Sequence, residues 1–165
     1  MSKAVMLSIR PKWCEKIASG EKTIEVRKTR PKLDTPFKCY IYCTKDKNNH
    51  FWTGKRYSYA DDHSHNAFDK IGSGKIIGEF ICDQINELAP LNHAPDDVEQ
   101  QACMTREEIV RYLKGVGYGW HISDLRIYDA PRELSEFTGL RDTRFGAAPY
   151  GIKRAPQSWC YVEEG

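Results

Sequence analysis

The chain has 165 residues, with 25 Lys and Arg against 23 Asp and Glu and a formal net charge of +2. That length fits one ordinary domain with a real core, and the near-balanced charge excludes a uniformly basic coat, so any attraction for nucleic acid has to come from a local patch. No run approaches the roughly 18 apolar residues of a membrane span and no N-terminal secretory pattern is present, which predicts a cytoplasmic protein without membrane partners.

Val5 to Ile9 is a short apolar run suited to a first strand. Pro11 then fits the first turn of a helix, where its missing N–H costs nothing. Trp13, Cys14, Ile17 and Ala18 recur at helical spacing and form one stripe. Gly20 supplies the usual left-handed stop. The next stretch alternates: Thr23, Glu25 and Arg27 fall on one face of a strand, Ile24 and Val26 on the other. Residues two apart on a strand are about 7 Å apart along the backbone, within reach of long side chains. Lys22, Glu25 and Arg27 are therefore either a polar ligand cluster or an exposed ion pair of little energetic weight.

Arg27, Lys28, Arg30 and Lys32 put four positive charges into six residues beside this cluster, a suitable neighbour for phosphate. Phe37 to Cys43 reads as the next strand, with Phe37, Cys39, Ile41 and Cys43 on one face and Lys38, Tyr40 and Tyr42 on the other. Residues 44–74 are irregular. Lys45, Lys47, Lys55 and Arg56 alternate there with Phe51, Trp52, Tyr57 and Tyr59. This composition suits either a single-stranded nucleic-acid platform or a loop pinned by its own aromatics. Asp61, Asp62, His63 and His65 read as solvated.

Gly74 to Ile85 is a second long strand, apolar on both faces as in a barrel with outer helices; Ile76, Phe80 and Cys82 are expected on one face. Glu79 in it is either a buried carboxylate at the site or a rim residue. Pro95 to Met104 is polar, and Thr105 with Glu108 opens a helix as a capping box, with Ile109, Tyr112 and Leu113 as its buried stripe. Tyr118 to Tyr128 reads as a bulged strand in which Trp120, His121 and Ser123 make a polar-aromatic spot. Arg141 to Pro156 is loop-like, with Arg141, Arg144, Lys153 and Arg154 adding positive charge. Gln157 to Val162 is expected to close the barrel. The six cysteines include no close C-x-x-C pair, so buried thiols are expected ahead of a metal site. P-loop, Rossmann and G-x-S-x-G patterns are absent.

The pattern G-x-K-x-x-E-x-R, filled by Gly20, Lys22, Glu25 and Arg27, resembles the signature of the ASCH domain family. Those are small β-barrels related to the PUA, EVE and YTH group of RNA- and modified-base-binding folds. Leu7 to Pro11 resembles the family's first strand and helix start. Tyr118 to Leu125 and Pro156 to Val162 resemble a branch common in phage and prophage genomes. The resemblance implies an α+β fold, a small PUA-like β-barrel with flanking helices, as a single domain over 1–165 with a long loop insertion at about 44–74. It also implies a cleft beside the motif that binds RNA, single-stranded nucleic acid or a modified nucleoside. There Lys22, Thr23, Glu25, Arg27, Lys28, Arg30, Trp120 and Ser123 would contact the ligand. Glu25 would accept from a base amino group, Lys22 and Arg27 would hold phosphate or carbonyl oxygens, and Trp120 would stack.

An alternative is a hydrolase. Some small ASCH proteins resemble amidases of N4-acetylcytidine that use a lysine, a threonine and a distant glutamate, and others are associated with metal-independent ribonuclease activity. Lys22 matches the lysine, whereas Glu25 stands where the threonine would be; the distant glutamate would be Glu79 or Glu99. Lys22, Glu25 and His121 would then be the catalytic set, with Lys22 needing desolvation or Arg27 nearby to lose its proton and Glu25 opposing that loss. A third reading is an interaction protein with no nucleic-acid role. None of these needs a cofactor or a metal.

Overall fold

Ala4, Val5, Met6 and Leu7 are all withdrawn from water, so this first strand needs cover on both faces. In the computed structural model, which describes residues 2–45, 51–52, 57–58, 73–88 and 94–165, two apolar clusters provide it. Val5, Leu7 and Ile9 point into one, with Cys14 and Ile17 of the first helix, Phe80 and Trp120. Ala4 and Met6 point into the other, with Tyr40, Phe137 and Val162.

In chain order the elements are β1 (Lys3–Ile9), α1 (Pro11–Ala18), β2 (Ile24–Arg27), β3 (Phe37–Cys43), the two-residue strands β4 (Phe51–Trp52) and β5 (Tyr57–Ser58), and β6 (Lys75–Glu87). There follow α2 (Val98–Ala102), α3 (Arg106–Leu113), β7 (Tyr118–Arg132), β8 (Thr138–Thr143), β9 (Gly146–Gly151) and β10 (Trp159–Glu163). Eight strands make one sheet in the order β2-β7-β6-β3-β1-β10-β8-β9. β1 runs parallel to β3 and antiparallel to β10. α2 and α3 cover the outer face of β2, where Ile24 and Val26 meet Val98, Ala102, Ile109 and Leu113. The opposite face of β2 therefore turns Glu25 and Arg27 toward α1 and the end of β1.

The α+β fold holds, but the expected closure does not. β10 lies inside the sheet with β1 on one side and β8 on the other, so it has no free edge for β2. β2 and β9 remain the two edges. Across the open seam Arg27 donates from its guanidinium to the Ser8 and Ser158 carbonyls, replacing a ladder with one side chain.

Other departures from the sequence reading have local causes. The loop expected over 141–156 contains most of the β8–β9 hairpin, whose Gly-Ala-Ala-Pro-Tyr-Gly strand shows no apolar alternation. Ile76 and Phe80 belong to different clusters because the β6–β7 register slips between Ile76 and Gly78. The second face of β3 is also partly core, since Tyr40 is buried. Tyr112 is 42% exposed and does not join Ile109 and Leu113 in the buried stripe of α3. The capping box of Thr105 and Glu108 forms as the sequence predicts. Four cysteines, Cys14, Cys39, Cys43 and Cys82, are buried free thiols, while Cys103 and Cys160 are half-buried. Most of the basic-aromatic loop expected at 44–74, with Asp61, Asp62, His63 and His65, lies outside the described residues. Among the described residues no helix is long and apolar enough to cross a membrane.

Gly78 marks the slip in the β6–β7 pairing. A Cβ there would lie 2.5 Å from the Arg126 carbonyl oxygen, which is backbone and cannot step aside cheaply. Gly78→Ala is expected to lower stability by about 1–3 kcal/mol, read from the midpoint of urea unfolding.

Candidate ligand-binding site

Gly20, at φ +84°, lets the chain reverse at the end of α1. The backbone N–H of Lys22 then bonds to the Lys16 carbonyl at 3.0 Å, fixing the turn that feeds β2. Lys22 is only 2% exposed. Its ammonium donates to the Ala102 carbonyl at 2.6 Å, lies 3.6 Å from Glu25 Oε1, and sits 4.7 Å from the centroid of the Trp13 ring. Glu25 and Arg27, adjacent on one face of β2, are also buried. Arg27 Nη2 donates to Glu25 Oε2 at 2.9 Å and to Ser8 O at 2.8 Å; Nη1 donates to Ser158 O at 3.3 Å and to Ser158 Oγ at 3.2 Å. The exposed ion pair is thus excluded: this is a buried triad of two cations about one carboxylate.

The triad forms one wall of a cavity of about 390 Å³. Arg10, Trp13, Met104, Tyr112 and Gln157 complete most of the lining. Burial lowers the affinity of Lys22 for its proton; the Glu25 carboxylate opposes that effect, Arg27 adds to it, and the net shift is below the ordinary lysine value. The expectation that Glu25 would hold Lys22 protonated identifies the right opposing influence, but desolvation outweighs it.

The remaining candidates do not all converge on this cavity. Thr23 points under α2, where its hydroxyl donates to Gln101 Oε1 at 3.0 Å. The Lys28 ammonium lies 5.2 Å from the centroid of the Tyr112 ring, outside the lining itself. Arg30 is turned onto its own loop, donating to the Pro31 and Leu33 carbonyls. Trp120 is fully buried, edge-on to Phe37 with centroids 5.9 Å apart, so no base can reach its faces. His121 pairs with Asp83 at 2.7 Å, and the Ser123 hydroxyl donates to the Ile81 carbonyl. Of the two distant carboxylates, Glu99 accepts from the Arg106 backbone N–H and Glu79 accepts from the Tyr128 hydroxyl at 2.8 Å. Neither lines the cavity.

The sequence reading missed the aromatic lining. Trp13 packs against the core as its place in the α1 stripe predicts, and it also borders the cavity, with Tyr112, which leaves the buried face of α3. Arg10 stands beside them, exposed at the start of α1. The available signal was positional: the reversal at Gly20 turns the chain back along α1, toward its first turn.

The ASCH domain family model matches residues 7–116 of this chain. Among solved structures, the chain is similar to the ASCH protein of Zymomonas mobilis, with a TM-score of 0.58 at 16% identity over 98% of this chain and 88% of that one. A serine-to-alanine variant of that protein gives 0.58 at 15% identity, covering 98% and 89%. A tyrosine-to-phenylalanine variant gives 0.55 at 15% identity, covering 99% and 92%. These likenesses are of fold. Among curated proteins, none matches the chain.

Removing the Arg27 guanidinium takes the donor from Glu25 Oε2 and the Ser8 carbonyl and one of two donors from the Ser158 carbonyl. Arg27→Ala is expected to cost about 3–5 kcal/mol in urea unfolding, and Arg27→Lys to recover little of it, since an ammonium lacks the planar fork. Glu79 gives a separate pH signature. Burial would raise its pKa, but the Tyr128 hydroxyl and Lys38 ammonium outweigh burial and hold it below its ordinary value of 4.5. A carboxyl lowered in the fold stabilises fully above that value and loses its contribution as pH falls through the folded one. Glu79→Gln is expected to flatten the loss of stability between roughly pH 5 and pH 2, followed by urea midpoints across that range.

Proposed function

The chain belongs to the ASCH domain family, and on that premise we propose that its cavity receives one nucleotide unit of an RNA or single-stranded nucleic acid, or a modified nucleoside. The observation that carries this reading is the buried carboxylate of Glu25, held through Oε2 by Arg27 while Oε1 stands 3.6 Å from the Lys22 ammonium. A donor and an acceptor fixed in a dry wall suit the alternating amino and carbonyl groups of a base edge. Cavities of about 300–1,000 Å³ are the usual size for small ligands, and this one falls within that range. Trp13 and Tyr112, with lysine ammoniums against their rings, give the cavity the aromatic lining expected of Trp120. Arg10, exposed in the lining, and Lys28, against Tyr112, are the partners for phosphate. Arg27, with both terminal nitrogens engaged by the protein, is a positioning residue for Glu25.

The lowered proton affinity of Lys22 favours hydrolysis as a second reading. A neutral lysine can take a proton from water as the hydroxide adds to an acyl carbon, and Glu25 can relay that proton to the nitrogen that departs as the acyl–nitrogen bond breaks. Here the pair of Lys22 and Glu25 would act without a distant glutamate, because Glu79 and Glu99 are engaged elsewhere.

A thermal-shift panel of nucleosides, N4-acetylcytidine included, and short RNA tests both readings. A true ligand at a hundredfold its dissociation constant stabilises by about 2.7 kcal/mol, or roughly 5–10 °C for a chain of this size. That rise is expected in the parent protein and lost in Lys22→Met and Glu25→Gln variants that remain folded. Release of acetate or cleaved RNA, abolished by Lys22→Met, would establish the second reading. A flat panel across every nucleoside and oligonucleotide would sink the first.

A further inference from the structure

The β8–β9 hairpin lies at the far edge of the sheet from β2, and none of its residues borders the cavity. Its register places Gly139 opposite Tyr150, Arg141 opposite Ala148 and Thr143 opposite Gly146, so these residues share one face. On that face Tyr150 lies flat over Gly139, where an added Cβ would meet the ring at once. The Arg141 guanidinium stacks over the same ring, 4.4 Å from its centroid.

At the tip, Thr143 Oγ1 donates to the Gly146 carbonyl at 2.7 Å and accepts from the Phe145 N–H at 3.1 Å. This ordered turn holds Phe145 outward, 92% exposed, with the Arg144 guanidinium 5.6 Å from its ring centroid. Asp142 is the only acid among residues 138–151. It points to the opposite face and is paired with Lys3 at 2.8 Å. The hairpin therefore carries Arg141 over Tyr150 on one face and Arg144 beside Phe145 at its tip, while its one carboxylate is turned to the other face.

From these placements we infer that the Arg141–Tyr150 stack and the Arg144–Phe145 tip form a contact surface for single-stranded nucleic acid, separate from the cavity. Charge complementarity selects this partner. The two guanidiniums take backbone phosphates, and the exposed Phe145 ring offers a face to a base without regard to its identity. From Gly139 to Thr143 the strand runs about 14 Å, long enough for a strand to lie along the arginines. Exposed Lys153 and Arg154, just beyond β9, extend the positive potential. The inference stands on the hairpin alone and does not rest on the cavity reading.

The test is fluorescence anisotropy with a labelled oligouridylate of about twelve nucleotides, run at several salt concentrations on the full chain. Phe145→Ala is expected to weaken binding roughly 5- to 150-fold, the span for loss of one base–aromatic stack. Arg141→Ala combined with Arg144→Ala should reduce the salt slope by about 1.4, two phosphates' worth for a single strand. These side chains are exposed, so the melting temperature should hold. Unchanged affinity and slope in these variants, or failure of the parent to bind the oligomer, would overturn the inference. So would binding to phosphatidylserine vesicles, with the oligomer ignored. Any nucleoside-induced thermal shift should persist in the hairpin variants. Failure of the cavity would instead leave hairpin-dependent oligomer binding in place.

Discussion

Arg27 occupies the seam that the backbone ladder leaves open. Its guanidinium reaches from the edge strand β2 to the Ser8 carbonyl at the end of β1 and the Ser158 carbonyl just before β10. The same Ser158 oxygen accepts from the Ser8 backbone N–H, so three segments meet on one side chain. A further bond goes to the Ser158 hydroxyl, and the one to Glu25 fixes the carboxylate in the cavity wall. Fold and site are thus held by one group, and neither can loosen without the other.

That coupling constrains the electrostatics. Two buried cations about one buried carboxylate leave an excess positive charge in a region that water reaches poorly. The protein relieves part of this with the Ala102 carbonyl and the Trp13 ring, both against the Lys22 ammonium. It relieves another part by making protonation of Lys22 harder. Under the proposed function, an electron-rich ligand would complete the compensation.

The sequence made the triad legible because its residues lie within six positions, Glu25 and Arg27 on one strand face and Lys22 at the turn before it, under a pattern shared with a known family. It did not reveal how deeply Lys22 is buried. That depends on the short helix α2, built from the polar stretch Val98–Ala102 whose spacing announces nothing. Trp120 and Trp13 look alike as isolated aromatics, and only the curl of the sheet decides that the first is core and the second is lining. His121 and Ser123 sit on β7 near the expected place, but alternation and the positive φ of Asp124 turn them to other partners. The β8–β9 hairpin escaped because Gly, Ala and Pro carry no periodic signal, although the strands before and after it do.

The position of β10 has a kinetic consequence. Lys3 is matched with Glu163 and Leu7 with Trp159, so the first strand of the sheet waits for one of the last before its second edge is satisfied. Pairings so remote along the chain slow the search for the native arrangement and lengthen the time for which β1 presents an open flank. During synthesis on the ribosome, Ala4, Val5, Met6 and Leu7 would thus remain adhesive until nearly the whole domain has emerged, a window in which a chaperone would find its substrate.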